Sequence, residues 1–243
     1  MKKLSVVIPM YNELEVAPKT AVELSSYLEK YLGNDFEILF SDDGSTDGCA
    51  QAVASLRLPN VRVIRYAVNK GKGSAIREGI MRSRGDIIVY TDSDLAYGSE
   101  AVYKIYSELE NSGANVVIGS RNLTKDGYQG YALTRKLMSK AYIKVISSFA
   151  GFSYSDSQCG LKAFTAESAK TIFSHCTING FAFDLEVLIL ADKMQMLVSE
   201  FPVKIVNHSQ SRSKINPIKD AIKMISDVNK IKNRHKNFSV DVK

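Results

Sequence analysis

Asp92-Ser93-Asp94 is the segment of this sequence best suited to chemistry: two carboxylates one residue apart, directly after the apolar run Ile87-Ile88-Val89-Tyr90. A hard divalent cation such as Mg²⁺ or Mn²⁺ prefers oxygen ligands, keeps several waters, and is commonly held by one or two carboxylates together with substrate phosphates. The spacing suits that arrangement, although such a triplet also occurs by chance in surface loops. Two further polar clusters give it context. Asp42-Asp43-Gly44-Ser45-Thr46-Asp47 follows another apolar run, where an exposed carboxylate can accept hydrogen bonds from a base or ribose. Asn69-Lys70-Gly71-Lys72-Gly73 offers a glycine-rich approach to a helix, with backbone N–H groups and a lysine available for a diphosphate. The dinucleotide fingerprint G-x-G-x-x-G and the nucleotide loop G-x-x-x-x-G-K-[ST] are both missing.

The elements that must position these clusters are legible from periodicity. Leu4 to Pro9, Phe36 to Phe40, Val61 to Tyr66 and Ile87 to Tyr90 are short apolar or β-branched runs bounded by turn formers, and they read as strands. Helices are expected between them, over Glu15 to Leu32, Gly48 to Leu56 and Gly73 to Arg84. Strands alternating with helices at this spacing imply an α/β fold with a mostly parallel sheet covered on both faces. Every polar cluster then lies at the carboxyl ends of strands, the edge where open parallel sheets bind ligands. The second half is less regular, with a strand at Val116 to Ile118 and helices near Ala132 to Phe149, Ala166 to Phe173 and Asp184 to Met194. No Gly/Ser/Pro-rich linker divides the chain, so one catalytic domain over residues 1–211 and a tail over 212–243 are expected.

Composition narrows the setting. Three cysteines, Cys49, Cys159 and Cys176, are odd in number and widely spaced; they read as small buried thiols in a reducing compartment. No stretch approaches the roughly 20 apolar residues needed to cross a bilayer, and the start shows no signal-peptide core, so a cytoplasmic protein is expected. From Arg212 to Lys243 there are nine Lys or Arg against three Asp, which accounts for the whole formal net charge of +6. There, Ile218, Ala221, Ile222, Ile225, Val228 and Ile231 form an apolar stripe beside Lys219, Lys223, Lys230 and Lys232. Such a basic amphipathic helix can dock on the core, lie on a membrane surface or meet a partner protein. Ala141 to Phe152, with Phe149, Phe152 and Tyr154, is a second stretch suited either to the core or to a headgroup layer. Nucleic-acid binding is suggested only by the basic tail, which lacks interleaved aromatics.

The motifs together resemble a known family. Val-Ile-Pro-Met-Tyr-Asn-Glu at 7–13, Asp-Asp-Gly-Ser-Thr-Asp at 42–47, Asn-Lys-Gly-Lys-Gly-Ser-Ala-Ile-Arg-Glu-Gly at 69–79 and Asp-Ser-Asp-Leu-Ala at 92–96 look like an inverting family 2 glycosyltransferase of the GT-A fold. Gly119-Ser120-Arg121, Asp156 to Lys162, Phe181 to Glu186 and Glu200 to Val203 resemble its polyprenyl-phosphate branch, above all the dolichyl-phosphate β-glucosyltransferases and their bacterial relatives.

The resemblance implies that Pro9, Tyr11, Glu13 and Asp43, with Asp42, Lys72 and Ser93, surround a nucleotide-diphosphate sugar. It implies that Asp92 and Asp94 hold Mg²⁺ or Mn²⁺, with Asp94 the more direct ligand. A polyprenyl phosphate would be the acceptor, and an anion already ionised near neutral pH has less need of a strong base than of being held in place. Arg121, Arg135, Ser139, Arg212 and Lys214 are candidates for holding it, since guanidinium groups and hydroxyls match phosphate geometry. Asp156 or Asp184 would orient or activate the acceptor, with capping open for Asp156 and a structural ion pair open for Glu186. Mannosyl-transferring relatives place Gln where Ala96 stands, which favours the glucosyl-type match and leaves a third metal ligand unassigned. Many relatives carry membrane-spanning helices after the catalytic domain; here the tail or a separate membrane protein would keep the enzyme peripheral at the inner face of the membrane. A soluble transferase acting on a polysaccharide or protein hydroxyl is the alternative, using the same donor half but needing a base.

Overall fold

The computed structural model describes residues 2–128, 151, 153–207 and 217–236, the side chains of 217–225 excepted. Seven strands form one sheet in the order β3-β2-β1-β4-β6-β5-β7: β1 (Leu4–Met10), β2 (Phe36–Asp42), β3 (Val61–Arg65), β4 (Ile87–Tyr90), β5 (Val116–Ser120), β6 (Lys162–Thr165) and β7 (Val198–Pro202). β1 pairs in parallel with β2 and β4, β2 with β3, and β5 with β7; β6 alone runs antiparallel to its neighbours β4 and β5. The expected mostly parallel α/β sheet is therefore present, with one reversed strand inserted in its second half.

The pleat sorts each strand's side chains between two cores. Leu4, Val6 and Ile8 of β1 join a cluster beneath α1 (Ala17–Leu32), α2 (Cys49–Ser55) and α4 (Gly98–Ser112), whereas Val7 faces the opposite cluster beneath α3 (Lys72–Met81), α5 (Ala166–His175) and α6 (Phe183–Lys193). Helix α4 was not foreseen, although Val102, Ile105, Tyr106 and Leu109 have helical spacing and are all buried. Strands β6 and β7 were missed as elements too. The expected helix near Ala132 to Phe149 lies outside the described residues, as do Phe149 and Phe152; Tyr154 packs against the second core. All three cysteines are free and buried, as expected.

The last element, α7 (Pro217–Arg234), carries the basic stripe. Over its second half the helix docks: Val228 and Ile231 are buried, His235 Nε2 lies 3.0 Å from Glu186 Oε1, and Arg234 donates to the Thr177 hydroxyl. Lys230, Lys232 and Lys236 remain exposed. Among the described residues, no helix is long and apolar enough to cross a membrane.

Candidate active site

Four connecting segments converge at the carboxyl edge of β1, β2, β3 and β4. The loops after β1 and β2 are stitched together: Asn12 N donates to Ser45 Oγ (2.9 Å), Thr46 N to Asn12 Oδ1 (2.9 Å) and Leu14 N to Asp47 Oδ2 (2.9 Å). Asp47 also accepts from Cys49 N at 3.0 Å, fixing the start of α2. This stitching holds Glu13 beside Asp92-Ser93-Asp94. Burial first, then the charges of Asp94, Asp47 and Asp92, raise the Glu13 carboxyl above its ordinary range, while a hydrogen bond with Ser93 pulls it back. The site thus brings the carboxyl groups of Glu13, Asp92 and Asp94 within reach of one another's charge, a setting that suits a divalent cation. Among the described residues, no three His, Cys, Asp or Glu side chains converge as a ready cation cage. Two carboxylates with substrate oxygens and water are the kind of set that Mg²⁺ and Mn²⁺ accept, so the residues fit such an ion.

Asp94 Oδ1 accepts from Ala96 N at 3.1 Å, which sets the turn after β4. Asp92 is ion-paired to Lys72 through Oδ1, and its Oδ2 rests against Gly160, where a side chain would come within 2.3 Å of that oxygen. Burial lowers the Lys72 pKa, but the charges of Asp92, Asp184 and Asp94 outweigh it, and the net shift is upward. Pro9 is buried at the end of β1, Ser93 is buried, and Tyr11 is exposed beside them.

The Asp42-Asp43 pair departs from expectation. Neither carboxylate is exposed: Asp42 is fully buried, accepting from Ser45 N at 3.0 Å and pairing with Arg65 at 3.3 Å. Asp43 takes Tyr66 OH (2.6 Å) and Lys70 N (2.8 Å) on Oδ1 and Gly71 N (2.7 Å) on Oδ2. The same contacts correct the reading of residues 69–73 as a diphosphate cradle. The N–H groups of Lys70 and Gly71 are committed to Asp43, and those of Gly73 and Ser74 to the Asn179 carbonyl. Its glycines serve close packing: Gly71, at φ +108°, and Gly73 have no room for a Cβ, which would lie 2.5 Å from Asn179 O and 2.6 Å from Ile178 O respectively.

Of the residues expected to meet an acceptor, Asp156 is fully buried and bound to Arg121 by Nε (2.6 Å), Nη2 (2.9 Å) and backbone N (3.1 Å). Only Nη1 of that guanidinium is not committed to Asp156. Asp184 accepts from Tyr90 OH (2.6 Å) and Lys162 Nζ (2.5 Å), and Lys162 has no exposed surface at all. Glu186 is buried as well, accepting from Thr177 N (2.8 Å), Thr177 Oγ1 (2.8 Å) and Ile178 N (2.7 Å), the structural role left open for it. Arg135, Ser139, Arg212 and Lys214 lie outside the described residues. Sequence reasoning missed Lys162, Tyr90, Tyr66 and His235; only Lys162 had a local signal, as a lone charge opening the apolar run Ala163-Phe164.

Comparison with known proteins adds to this geometry. The description "Glycosyl transferase family 2" matches residues 5–173. A dolichyl-phosphate beta-glucosyltransferase of Dictyostelium discoideum is 31% identical over 96% of this chain and 74% of its own length. The Saccharomyces cerevisiae protein of that name is 31% identical over 93% and 72%, and the Homo sapiens one 33% over 83% and 67%. Among solved structures, glucosyl-3-phosphoglycerate synthase from Mycobacterium tuberculosis, in complex with Mn²⁺, uridine diphosphate and phosphoglyceric acid, aligns over 99% of this chain and 80% of its own, with a TM-score of 0.67 at 19% identity. That likeness extends the match in fold to almost the whole chain.

Proposed function

The chain belongs to glycosyl transferase family 2, and we propose that it moves a hexose, glucose by preference, from a uridine diphosphate donor to the phosphate of a polyprenyl lipid. The observation that carries this reading is Asp92 and Asp94 at the carboxyl edge, with Glu13 near enough to feel their charges, in a chain 31% identical to a dolichyl-phosphate beta-glucosyltransferase over 96% of its length. Asp94 and Asp92 would hold Mg²⁺ or Mn²⁺, with donor oxygens completing the shell. When bound, that ion supplies Lewis-acid stabilisation of charge gathering on the departing diphosphate.

The protein's own groups do the rest. The stitched β1 and β2 loops, with Pro9, Tyr11 and Glu13, present the wall for base and ribose, and Asp42 and Asp43 act through the loops they brace. One oxygen of the acceptor phosphate bonds to the anomeric carbon as the bond from that carbon to the diphosphate oxygen breaks, giving inversion. A phosphate monoester is ionised near neutral pH, so no side chain need remove a proton. That suits a site in which Asp156 and Asp184 are already consumed by Arg121 and Lys162. We assign both carboxylates to positioning, and we assign Nη1 of Arg121, the guanidinium nitrogen that does not bond Asp156, to the acceptor anion.

A membrane-surface location belongs to the same proposal. Of ten large apolar side chains exposed among the described residues, six (Tyr11, Leu14, Val68, Leu123, Phe181 and Val206) lie on segments at the carboxyl edge, where a lipid-linked acceptor must arrive. The exposed lysines of α7 add attraction to anionic headgroups, at about 1 kcal/mol per basic residue near the surface.

The test is release of UDP from UDP-glucose with Mn²⁺, with and without polyprenyl phosphate. Release that depends on the lipid phosphate, with glucose recovered on the lipid, is expected. Asp94→Ala should lower turnover by about 10²-fold or more. Transfer to a sugar or protein hydroxyl in place of the lipid would remove the acceptor half of the reading.

A further inference from the structure

Two lysine–aspartate pairs stand side by side under the site, and they differ in one respect. Lys162 and Asp184 are sealed, with side-chain exposures of 0% and 7%. Lys72 and Asp92 stand at the mouth, at 22% and 35%. The sealed pair cannot be opened without stranding a buried charge. The mouth pair, partly open to solvent, can be parted at a smaller cost.

The parts of the mouth pair are also unequal in freedom. Asp92 sits on the turn that follows β4, with Oδ2 against Gly160. Lys72 opens α3 between two glycines whose N–H groups are already held by Asp43 and Asn179. Its backbone is fixed, whereas its ammonium rides on four methylenes and can swing by rotamer changes alone. With the N–H groups of Gly71, Gly73 and Ser74 engaged elsewhere, the Lys72 ammonium is the positive group that the start of α3 presents to Asp92. It therefore occupies an oxygen of one of the two carboxylates assigned to the divalent ion.

We propose that Lys72 is an exchangeable counter-ion: it holds Asp92 until cation and donor enter together, then leaves Asp92 for the donor's diphosphate. This rests on the metal and nucleotide-donor reading above and goes beyond it in one respect. A cation arriving alone must compete with Lys72 for Asp92 and leaves the ammonium without its partner; a cation arriving with a diphosphate supplies Lys72 with a new one. Cation and nucleotide thus bind with positive coupling, and Lys72 is the element through which each site senses the other. The arrangement also disfavours loading of the site by free metal.

The experiment is titration calorimetry of Mn²⁺ into the full chain, with and without saturating UDP, for wild type, Lys72→Gln and Lys72→Arg, with circular dichroism as the check of folding. Without UDP, Lys72→Gln should bind Mn²⁺ about three- to fivefold more tightly than wild type, the range a partly exposed ion pair is worth. The ratio of Mn²⁺ affinities with and without UDP should fall toward unity. Lys72→Arg, whose fork grips a carboxylate more firmly, should bind Mn²⁺ alone more weakly than wild type; this opposite shift decides the matter should the glutamine variant fold poorly. Unchanged or weaker Mn²⁺ binding by a folded Lys72→Gln, or an unchanged ratio, overturns the proposal. These readouts involve no lipid, so a failure of the acceptor assignment leaves them standing and is told apart from their own failure.

Discussion

Glu13 shows what a binding site costs at the level of one side chain. Its carboxyl is raised above the ordinary range by burial and by Asp94, Asp47 and Asp92, so the folded protein holds that proton more tightly than the unfolded chain does. Below the ordinary carboxylate range Glu13 is neutral in both states and the environment costs nothing. As pH rises through the ordinary value toward the raised one, the folded state loses stability relative to the unfolded. Glu13→Gln should therefore raise the melting temperature of the protein in EDTA at neutral pH, with the gain vanishing as pH falls to about 4. The same variant should bind Mn²⁺ less well. A gain independent of pH would refute the electrostatic account. Asp92 and Asp94 were legible because a doubled carboxylate after a strand is a pattern. The partners of Asp43 were not, since nothing local announces that Tyr66 OH and two distant N–H groups will consume it.

At the scale of elements, the contact between the start of α3 and the segment 176–180 carries most of the organisation. Gly73 N donates to Asn179 O at 2.7 Å, Arg77 reaches Asn179 Oδ1 at 2.7 Å, and Glu186 holds Thr177 and Ile178 from below. Gly73→Ala would place a methyl 2.6 Å from Ile178 O and 2.7 Å from Phe183 Cβ, so the two segments must part. We expect a destabilisation of about 1–3 kcal/mol in urea unfolding, with donor affinity reduced because Lys72 moves with the helix start. Equal stability and equal donor binding would show that the packing is slack. The glycines of residues 69–73 were conspicuous in the sequence, yet they were read as room for a ligand where the fold uses them as room for its own backbone. Sequence marks that a backbone comes close; it does not say to what. The reversal of β6 was hidden for a related reason, because a four-residue strand with only Ala163 and Phe164 apolar carries no sign of its direction.

For the molecule as a whole, the parallel half of the sheet was readable from regular alternation, and the docking of α7 was one of three open alternatives. Val228 and Ile231 are spent against the protein, so that half of the helix has no apolar face left for a bilayer, while Lys230, Lys232 and Lys236 still point outward. The share of membrane association that this half of α7 contributes should accordingly be electrostatic, beside the apolar side chains at the carboxyl edge. Flotation with vesicles rich in anionic lipid should hold the protein more firmly at low salt than near physiological ionic strength or above, where the Debye length falls below about 8 Å. Retention on neutral vesicles at high salt would point instead to apolar insertion.

The antiparallel placement of β6 has a consequence for how such a protein can diversify. Because β5 ends and β6 begins at the same edge, the chain from residue 121 to residue 161 leaves and re-enters the sheet at neighbouring points. Arg121 with Asp156, and Ser120 with Ser155 at 2.5 Å, clasp the two ends together. Such a clasped excursion is anchored at both ends. A change between its two clasped ends would leave the pairing of β1 to β4, which takes no strand from residues 121–161, in register.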